Sequence, residues 1–165
     1  MTRVTLNHCY VGLGSNLENP RQQVITALQE LQQIAGTSLL SSSSLYRSDP
    51  VGPAGQPDYI NAVALLETSL QPEALLDQLQ SLEQQHQRVR KTHWGPRTLD
   101  LDIILFGNQF IQSARLTVPH PFATERNFVL WPLFELSPDL IFPGDRSISD
   151  LLVACPLGTL EKISV

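Results

Sequence analysis

The sequence predicts an α+β protein, a ferredoxin-like α/β sandwich in which helices pack on a mainly antiparallel sheet. Three observations lead there. Runs of β-branched and aromatic residues alternate with two stretches of helical periodicity, in the order strand, helix, two strands, helix, strand. The chain has 165 residues, 42% of them hydrophobic, which is enough for one well-buried core and short for two. Residues 1–165 are therefore expected to form one domain. No apolar run approaches the length of a membrane helix and no hydrophobic leader opens the chain, so a cytoplasmic protein without membrane partners is expected. Cys9 and Cys155 have no metal-ligand spacing and are expected as buried free thiols in a reducing compartment.

The first strand spans His8 to Gly14. Asn19-Pro20 then offers a cap and a proline at the first helical position. Val24, Ala27, Leu28, Leu31 and Ile34 fall on one helical stripe, and Gly36 closes it. Ser38 to Tyr46 predicts a second strand and Tyr59 to Thr68 a third. The segment between them, Ser48 to Asp58, is too rich in Pro and Gly for helix or ladder and longer than a hairpin needs. Pro72 opens a helix whose Leu75, Leu79, Leu82 and His86 share a face, flanked by Leu76. A strand starts at Asp100, with Leu101, Ile103 and Leu105 facing a core, and Gly107-Asn108 turns it into a short return strand, Gln109 to Ile111. The stretch from Pro119 through Phe128 to Trp131-Pro132 receives no regular element, and Ile148 to Ala154 reads as a last helix. This arrangement places helices on one sheet face and leaves the other face, or an edge, for a ligand.

The chemistry concentrates in Arg88 to Asp102. Asp100 and Asp102, two apart on a strand, point to the same face roughly 6.5 to 7 Å apart. Paired carboxylates repel each other, so a hard divalent cation between them, Mg²⁺, explains them; a solvated edge face is the plain alternative. Arg88, Arg90, Lys91, Arg97, Arg115 and Arg126 give residues 88–126 a net charge of +3, in a chain whose total is −5. An acidic protein that gathers cations beside paired aspartates suits a small polyanion carried with metal. The overall charge argues against a nucleic-acid partner.

Gly12-Leu13-Gly14 follows a strand, but Leu17 stands where a dinucleotide fingerprint needs its third glycine, and no phosphate-cradling G-x-x-x-x-G-K-[ST] segment exists. Gly12 and Gly14 are either tight-turn residues or a place where a ligand nears the backbone. The blocks Val11-Gly12-Leu13-Gly14-Ser15-Asn16-Leu17, Gln56-Pro57-Asp58-Tyr59-Ile60-Asn61, Arg88-Val89-Arg90, Trp94-Gly95-Pro96-Arg97-Thr98-Leu99-Asp100-Leu101-Asp102 and Leu116-Thr117-Val118-Pro119-His120-Pro121 occur in an order that resembles the 6-hydroxymethyl-7,8-dihydropterin pyrophosphokinases. These are folate-pathway enzymes that transfer diphosphate from ATP to a pterin alcohol. The likeness covers nearly the whole chain. The loop from Arg90 to Trp94 is one residue shorter than in some members, and Ser48-Asp49 stands where Thr-Pro is common.

The resemblance implies ATP as co-substrate and two Mg²⁺ held by Asp100 and Asp102, with Arg88 and Arg97 on the phosphates. It implies further nucleotide contacts from Gln80, Glu83, Arg90, Trp94, Arg115, Thr117, His120 and Arg126. The pterin would lie between the rings of Tyr59 and Phe128, with the Asn61 amide and groups at Ser48, Val51 and Gly52 on its polar edge. Residues 47–58 and 88–98 are expected as mobile loops that close when both substrates are present. A monomer is expected. The competing reading from the residues is a sheet that stacks single-stranded RNA on Tyr59 and Phe128 without catalysis.

Overall fold

Side-chain alternation along three neighbouring strands sorts the apolar residues onto two faces of one sheet. The computed structural model describes residues 5–17, 19–49, 57–86 and 98–163. In chain order the elements are β1 (Asn7–Ser15), α1 (Pro20–Leu31), β2 (Thr37–Ser42), β3 (Leu45–Ser48), β4 (Tyr59–Thr68), α2 (Pro72–His86), β5 (Asp100–Phe106), β6 (Ile111–Gln112) and β7 (Thr117–Val118). A 3-10 turn at Ala123–Glu125 leads to α3 (Asn127–Leu136), β8 (Ile141–Phe142), β9 (Arg146–Ser147), α4 (Ile148–Val153) and β10 (Glu161–Ile163). Among the described residues every strand pair is antiparallel. The main sheet has the order β10-β3-β4-β1-β5, and β2 shares one edge of β4 with β3.

On one face Val11, Leu13, Ala62, Ala64, Leu66, Leu101 and Ile103 pack against Val24, Ala27 and Leu31 of α1 and Leu75, Leu79 and Leu82 of α2. His86 ties the two helices, bonding Glu30 at 2.5 Å and also Gln23. On the other face Tyr10, Val63, Ile104 and Leu105 pack against Val129, Leu130 and Leu133 of α3 and Ile148 of α4. Helices thus cover both faces, where the sequence pattern suggested one. The second layer covers only part of its face, and the uncovered part carries Gly12, Gly14, Asn61, Asp100 and Asp102.

Several local expectations change for identifiable reasons. In the β1–β5 ladder Tyr10 pairs with Leu105 and Val11 with Ile103, so Ile104 is an extra residue, a β-bulge. Leu105 therefore joins Ile104 in the second core instead of sharing a face with Leu101 and Ile103. The predicted Ser38–Tyr46 strand is two strands, because Ser43 and Ser44 supply side-chain bonds that compete with the ladder. Ser43 Oγ accepts the Val63 N–H at 2.9 Å, and Ser44 donates its N–H and hydroxyl to Glu135 of α3. Asn19 precedes α1 in a left-handed conformation with φ 64° and makes no side-chain cap, although its carbonyl accepts the Gln23 N–H at 3.1 Å. The return strand pairs with β7, not β5; at that end of β5 the Ile104 carbonyl is taken by the His120 N–H at 3.0 Å. Helix α3 contains Pro132 at its sixth residue, the reason its sequence did not signal a helix.

The carboxylate of Glu135 anchors α3 to the sheet through Ser44, Tyr46 and Lys162. Burial alone would raise its pKa, but hydrogen bonds from Tyr46 and Ser44 and the charge of Lys162 outweigh burial and hold it below the usual carboxylate range. A depressed folded pKa contributes stability that is complete above the unfolded value and disappears as pH falls through the folded value. Glu135→Gln is accordingly expected to flatten the low-pH part of the stability curve below about pH 4.5, the reference carboxylate region. Denaturant unfolding of both proteins between neutral and acid pH checks this; parallel curves would refute it.

Candidate active site

The floor of the site is a consequence of register. Gly12 of β1 pairs with Asp102, and Gly14 pairs with Asp100 on one side and Asn61 on the other. All of these residues lie on the sheet face left open by α3 and α4. The two glycines are mid-strand residues, not turns, so the close-approach reading applies. A Cβ on Gly14 would come within 3.4 Å of Asn61 Oδ1, and one on Gly12 within 3.2 Å of Ile104 Cδ1. Without side chains, they leave a shallow trough between the acids and the amide.

This trough belongs to a cleft of about 670 Å³ lined by Ser48, Tyr59, Asn61, Asp100, Asp102, His120, Arg126 and Phe128, with Ala154, Cys155 and Pro156 closing it. Asn61 is 4% exposed. Its Nδ2 donates to Ser48 Oγ at 2.7 Å and to the Tyr46 carbonyl at 3.5 Å, which turns Oδ1 toward Gly14 and the cleft floor. The amide thus presents a fixed acceptor in a cleft that two aromatic residues also line, Tyr59 from β4 and Phe128 from the first turn of α3. Such a slot suits a flat heterocycle with a donor edge.

A second cleft, about 600 Å³, lies along α2 and is lined by Gln80, Glu83, Arg115, Thr117 and Phe122. It shares Asp100, Asp102, His120 and Arg126 with the first. Arg115 is held toward α2 by Asp77 at 2.5 Å and Gln80 at 3.2 Å. Arg126 lies between two rings, 5.4 Å from the centroid of Phe122 and 5.6 Å from that of Phe128. His120 is pinned to β5 by its N–H bond to the Ile104 carbonyl at 3.0 Å. Its Nδ1 accepts the Phe122 N–H at 3.2 Å, which assigns the ring proton to Nε2 in the neutral form. Burial lowers the His120 pKa, Asp102 opposes that effect and Arg126 adds to it. A neutral N–H donor therefore sits beside the carboxylates at neutral pH.

Residues 10–138 match the family model for 7,8-dihydro-6-hydroxymethylpterin-pyrophosphokinase. The chain belongs to that family. It is 49% identical over 158 residues to the 2-amino-4-hydroxy-6-hydroxymethyldihydropteridine pyrophosphokinase of Pseudomonas aeruginosa, covering 96% of this chain and 98% of that one. It is 50% identical over 143 residues to the Haemophilus influenzae protein of the same name, covering 87% and 89%. The crystal structure of Plasmodium falciparum HPPK-DHPS wild type with pteroate superposes with a TM-score of 0.71 at 12% identity, a likeness of fold. The match covers 93% of this chain and 43% of that longer one.

Against this family background, the structure gathers Asp100, Asp102, Ser48, Tyr59, Asn61, Phe128, Gln80, Glu83, Arg115, Thr117, His120 and Arg126 around two adjoining clefts. Val51, Gly52, Arg88, Arg90, Trp94 and Arg97, and most of both loops expected to close, lie outside the described residues. Sequence reasoning missed the wall formed by Ala154–Pro156, which no local pattern marks because the fold alone brings it to the cleft. Cys155 there is a buried free thiol, as is Cys9. Burial raises the pKa of both, so neither is poised as a nucleophile.

The donor set fits Mg²⁺. Among the described residues no cluster of three or more His, Cys, Asp or Glu converges as an all-protein metal cage. Two carboxylates on one strand face beside an anion cleft are instead the sparse oxygen set that Mg²⁺ takes when phosphates and water complete its coordination. For His120, NMR titration of the ligand-free protein is expected to give a midpoint below the ordinary value of 6.5. It should move upward in Arg126→Gln and downward in Asp102→Asn. Shifts in the reverse directions would contradict this electrostatic arrangement.

Proposed function

We infer that the protein transfers diphosphate from ATP to the hydroxymethyl group of 6-hydroxymethyl-7,8-dihydropterin, giving the pterin diphosphate and AMP, a step of tetrahydrofolate biosynthesis. The observation that carries this reading is the meeting of two chemically different clefts at Asp100, Asp102, His120 and Arg126. One is an aromatic slot with an amide edge and the other a polar channel along a helix. Family membership favours this activity over the RNA-stacking alternative.

The pterin lies on the Gly12–Gly14 trough between Tyr59 and Phe128, its donor edge on Asn61 Oδ1, while Ser48 holds that amide in orientation. ATP occupies the second cleft, its nucleoside end near Gln80, Glu83, Arg115 and Thr117. Its phosphates run toward Asp100 and Asp102, with His120 Nε2–H and Arg126 donating to phosphate oxygens. Arg88, Arg90 and Arg97 add phosphate contacts, Trp94 covers the substrates, and Val51 and Gly52 complete the pterin edge. Asp100 and Asp102 would hold two Mg²⁺, which would neutralise charge on the transferred group. The hydroxymethyl oxygen gives up its proton, which passes to solvent, and forms the new bond to the β-phosphorus as the bond from that phosphorus to the α,β-bridging oxygen breaks; AMP departs with that oxygen and its electron pair. Closure of loops 47–58 and 88–98 excludes water, which would otherwise compete with the alcohol. The protein acts as a monomeric single domain in the cytoplasm; among the described residues no helix is long and apolar enough to cross a membrane.

The deciding assay is AMP release from ATP, Mg²⁺ and the pterin alcohol. Activity should disappear on adding a chelator and return with Mg²⁺, and its absence from folded protein would refute the reading. Asp100→Ala and Asp102→Ala should each slow transfer by about a thousandfold or more, since several kcal/mol of charge stabilisation is lost. Their thermal unfolding should stay near wild type, because both acids lie on the open face.

The aromatic slot has a different signature. Tyr59→Ala and Phe128→Ala should each weaken pterin binding by about 1 to 3 kcal/mol, on the scale of base–aromatic stacking, with a much smaller effect on ATP. Calorimetry with each ligand separately makes the comparison. Equal losses for both ligands would assign the rings to packing.

A further inference from the structure

Two walls of the aromatic cleft come from different layers of the fold. Asn61 and Tyr59 stand on the sheet, whereas Phe128 stands on α3 and depends on how that helix lies across β3 and β4. Apolar packing of Val129, Leu130 and Leu133 fixes the distance of α3 from the sheet but is non-directional, so it resists sliding and rotation poorly. Pro132 also deprives the Phe128 carbonyl of the N–H that an unbroken helix would offer it. A directional restraint must come from elsewhere.

Glu135 supplies one. It lies seven residues after Phe128, two helical turns on, so both project from the same side of α3 about 10 Å apart. Its carboxylate collects four groups from the sheet. The Tyr46 hydroxyl donates to Oε1 at 2.6 Å, the Ser44 N–H and hydroxyl donate to Oε2 at 3.0 and 2.9 Å, and Lys162 Nζ stands 3.8 Å from Oε1. Tyr46 is also opposite Asn61 in the β3–β4 ladder, and its carbonyl accepts from the Asn61 amide. Ser48, two residues along β3, accepts the same amide's shorter bond. One short strand therefore grips the amide of the sheet wall with its backbone and a hydroxyl, and the helix wall with a phenol. Neither Tyr46 nor Glu135 lines the cleft.

We propose that Tyr46 and Glu135 are positioning residues for the pterin cleft, a tie that sets Phe128 at stacking distance and angle relative to Asn61 and Tyr59. The proposal rests on the pterin reading above. It assigns the tie chiefly to heterocycle recognition, since the ATP cleft is built mainly on α2, β5 and β7 and reaches α3 through Arg126, just before its first turn.

Three variants test it. Tyr46→Phe removes only the phenolic oxygen, Glu135→Gln keeps an acceptor for it, and Glu135→Leu removes every bond to the carboxylate. Losing one such hydrogen bond should raise the pterin Kd of Tyr46→Phe about three- to tenfold. The Kd for ATP with Mg²⁺ should change less than about twofold by the same scale, and the rise in pterin KM should exceed the fall in kcat. Glu135→Gln should lie between wild type and Glu135→Leu. A Tyr46→Phe protein with lowered Tm but wild-type pterin Kd would overturn the proposal, as would equal weakening of pterin and ATP. Wild-type protein that binds no pterin would instead overturn the functional reading. Tyr46→Phe keeps the buried ring, so it carries the test if Glu135→Leu fails to fold.

Discussion

Strand β1 runs between β4 and β5, and its register with both is the constraint on which the site depends. Two glycines face the same side as the acids of β5 and the amide of β4 because three antiparallel alternations are locked in phase. A slip of one residue in either ladder would turn Asp100 and Asp102, or Asn61, under α1 and α2. There a carboxylate would be desolvated among leucines at a cost of several kcal/mol. The cores on both faces therefore enforce the arrangement of the open face as a by-product of burying their own side chains.

The edge position of β5 matters equally. A central strand has neighbours on both sides, whereas among the described residues β5 pairs with β1 alone, which leaves its acids open to a second cleft. Glu83 accepts the Leu101 N–H at the outer edge, between the two aspartates, and so satisfies a backbone donor without placing another strand there. Local charge follows the same plan. The chain is acidic overall, yet His120 and Arg126 stand where the clefts meet, and Arg115 is partly neutralised by Asp77 away from the carboxylates.

Periodicity made β1, α1, β4, α2 and β5 legible because each buries a single well-marked stripe or alternation. Spacing made Asp100 and Asp102 legible, since a strand puts residues two apart on one face whatever the tertiary fold. What the sequence hid depends on partners far along the chain. Pro132 argued locally against α3, which persists because Val129, Leu130 and Leu133 find a buried face. Ser43 and Ser44 looked like strand residues until Val63 and Glu135 drew their hydrogen bonds away. The Ala154–Pro156 wall and the Glu135 anchor have no local signature. Family likeness, not spacing, linked Tyr59, Asn61 and Phe128 to one substrate.

The bulge at Ile104 carries a consequence for how this chain can change. Between Asp102 and the turn at Gly107, it absorbs one residue and so exchanges the faces of everything beyond it. The register says which deletions the strand tolerates. Losing Ile104 alone would leave a regular ladder in which Val11 still meets Ile103 and Tyr10 still meets Leu105, so the acids, Leu105 and Phe106 would all keep their sides of the sheet. Losing one residue more, with no new bulge, would put either the acids or Leu105 and Phe106 on the wrong side.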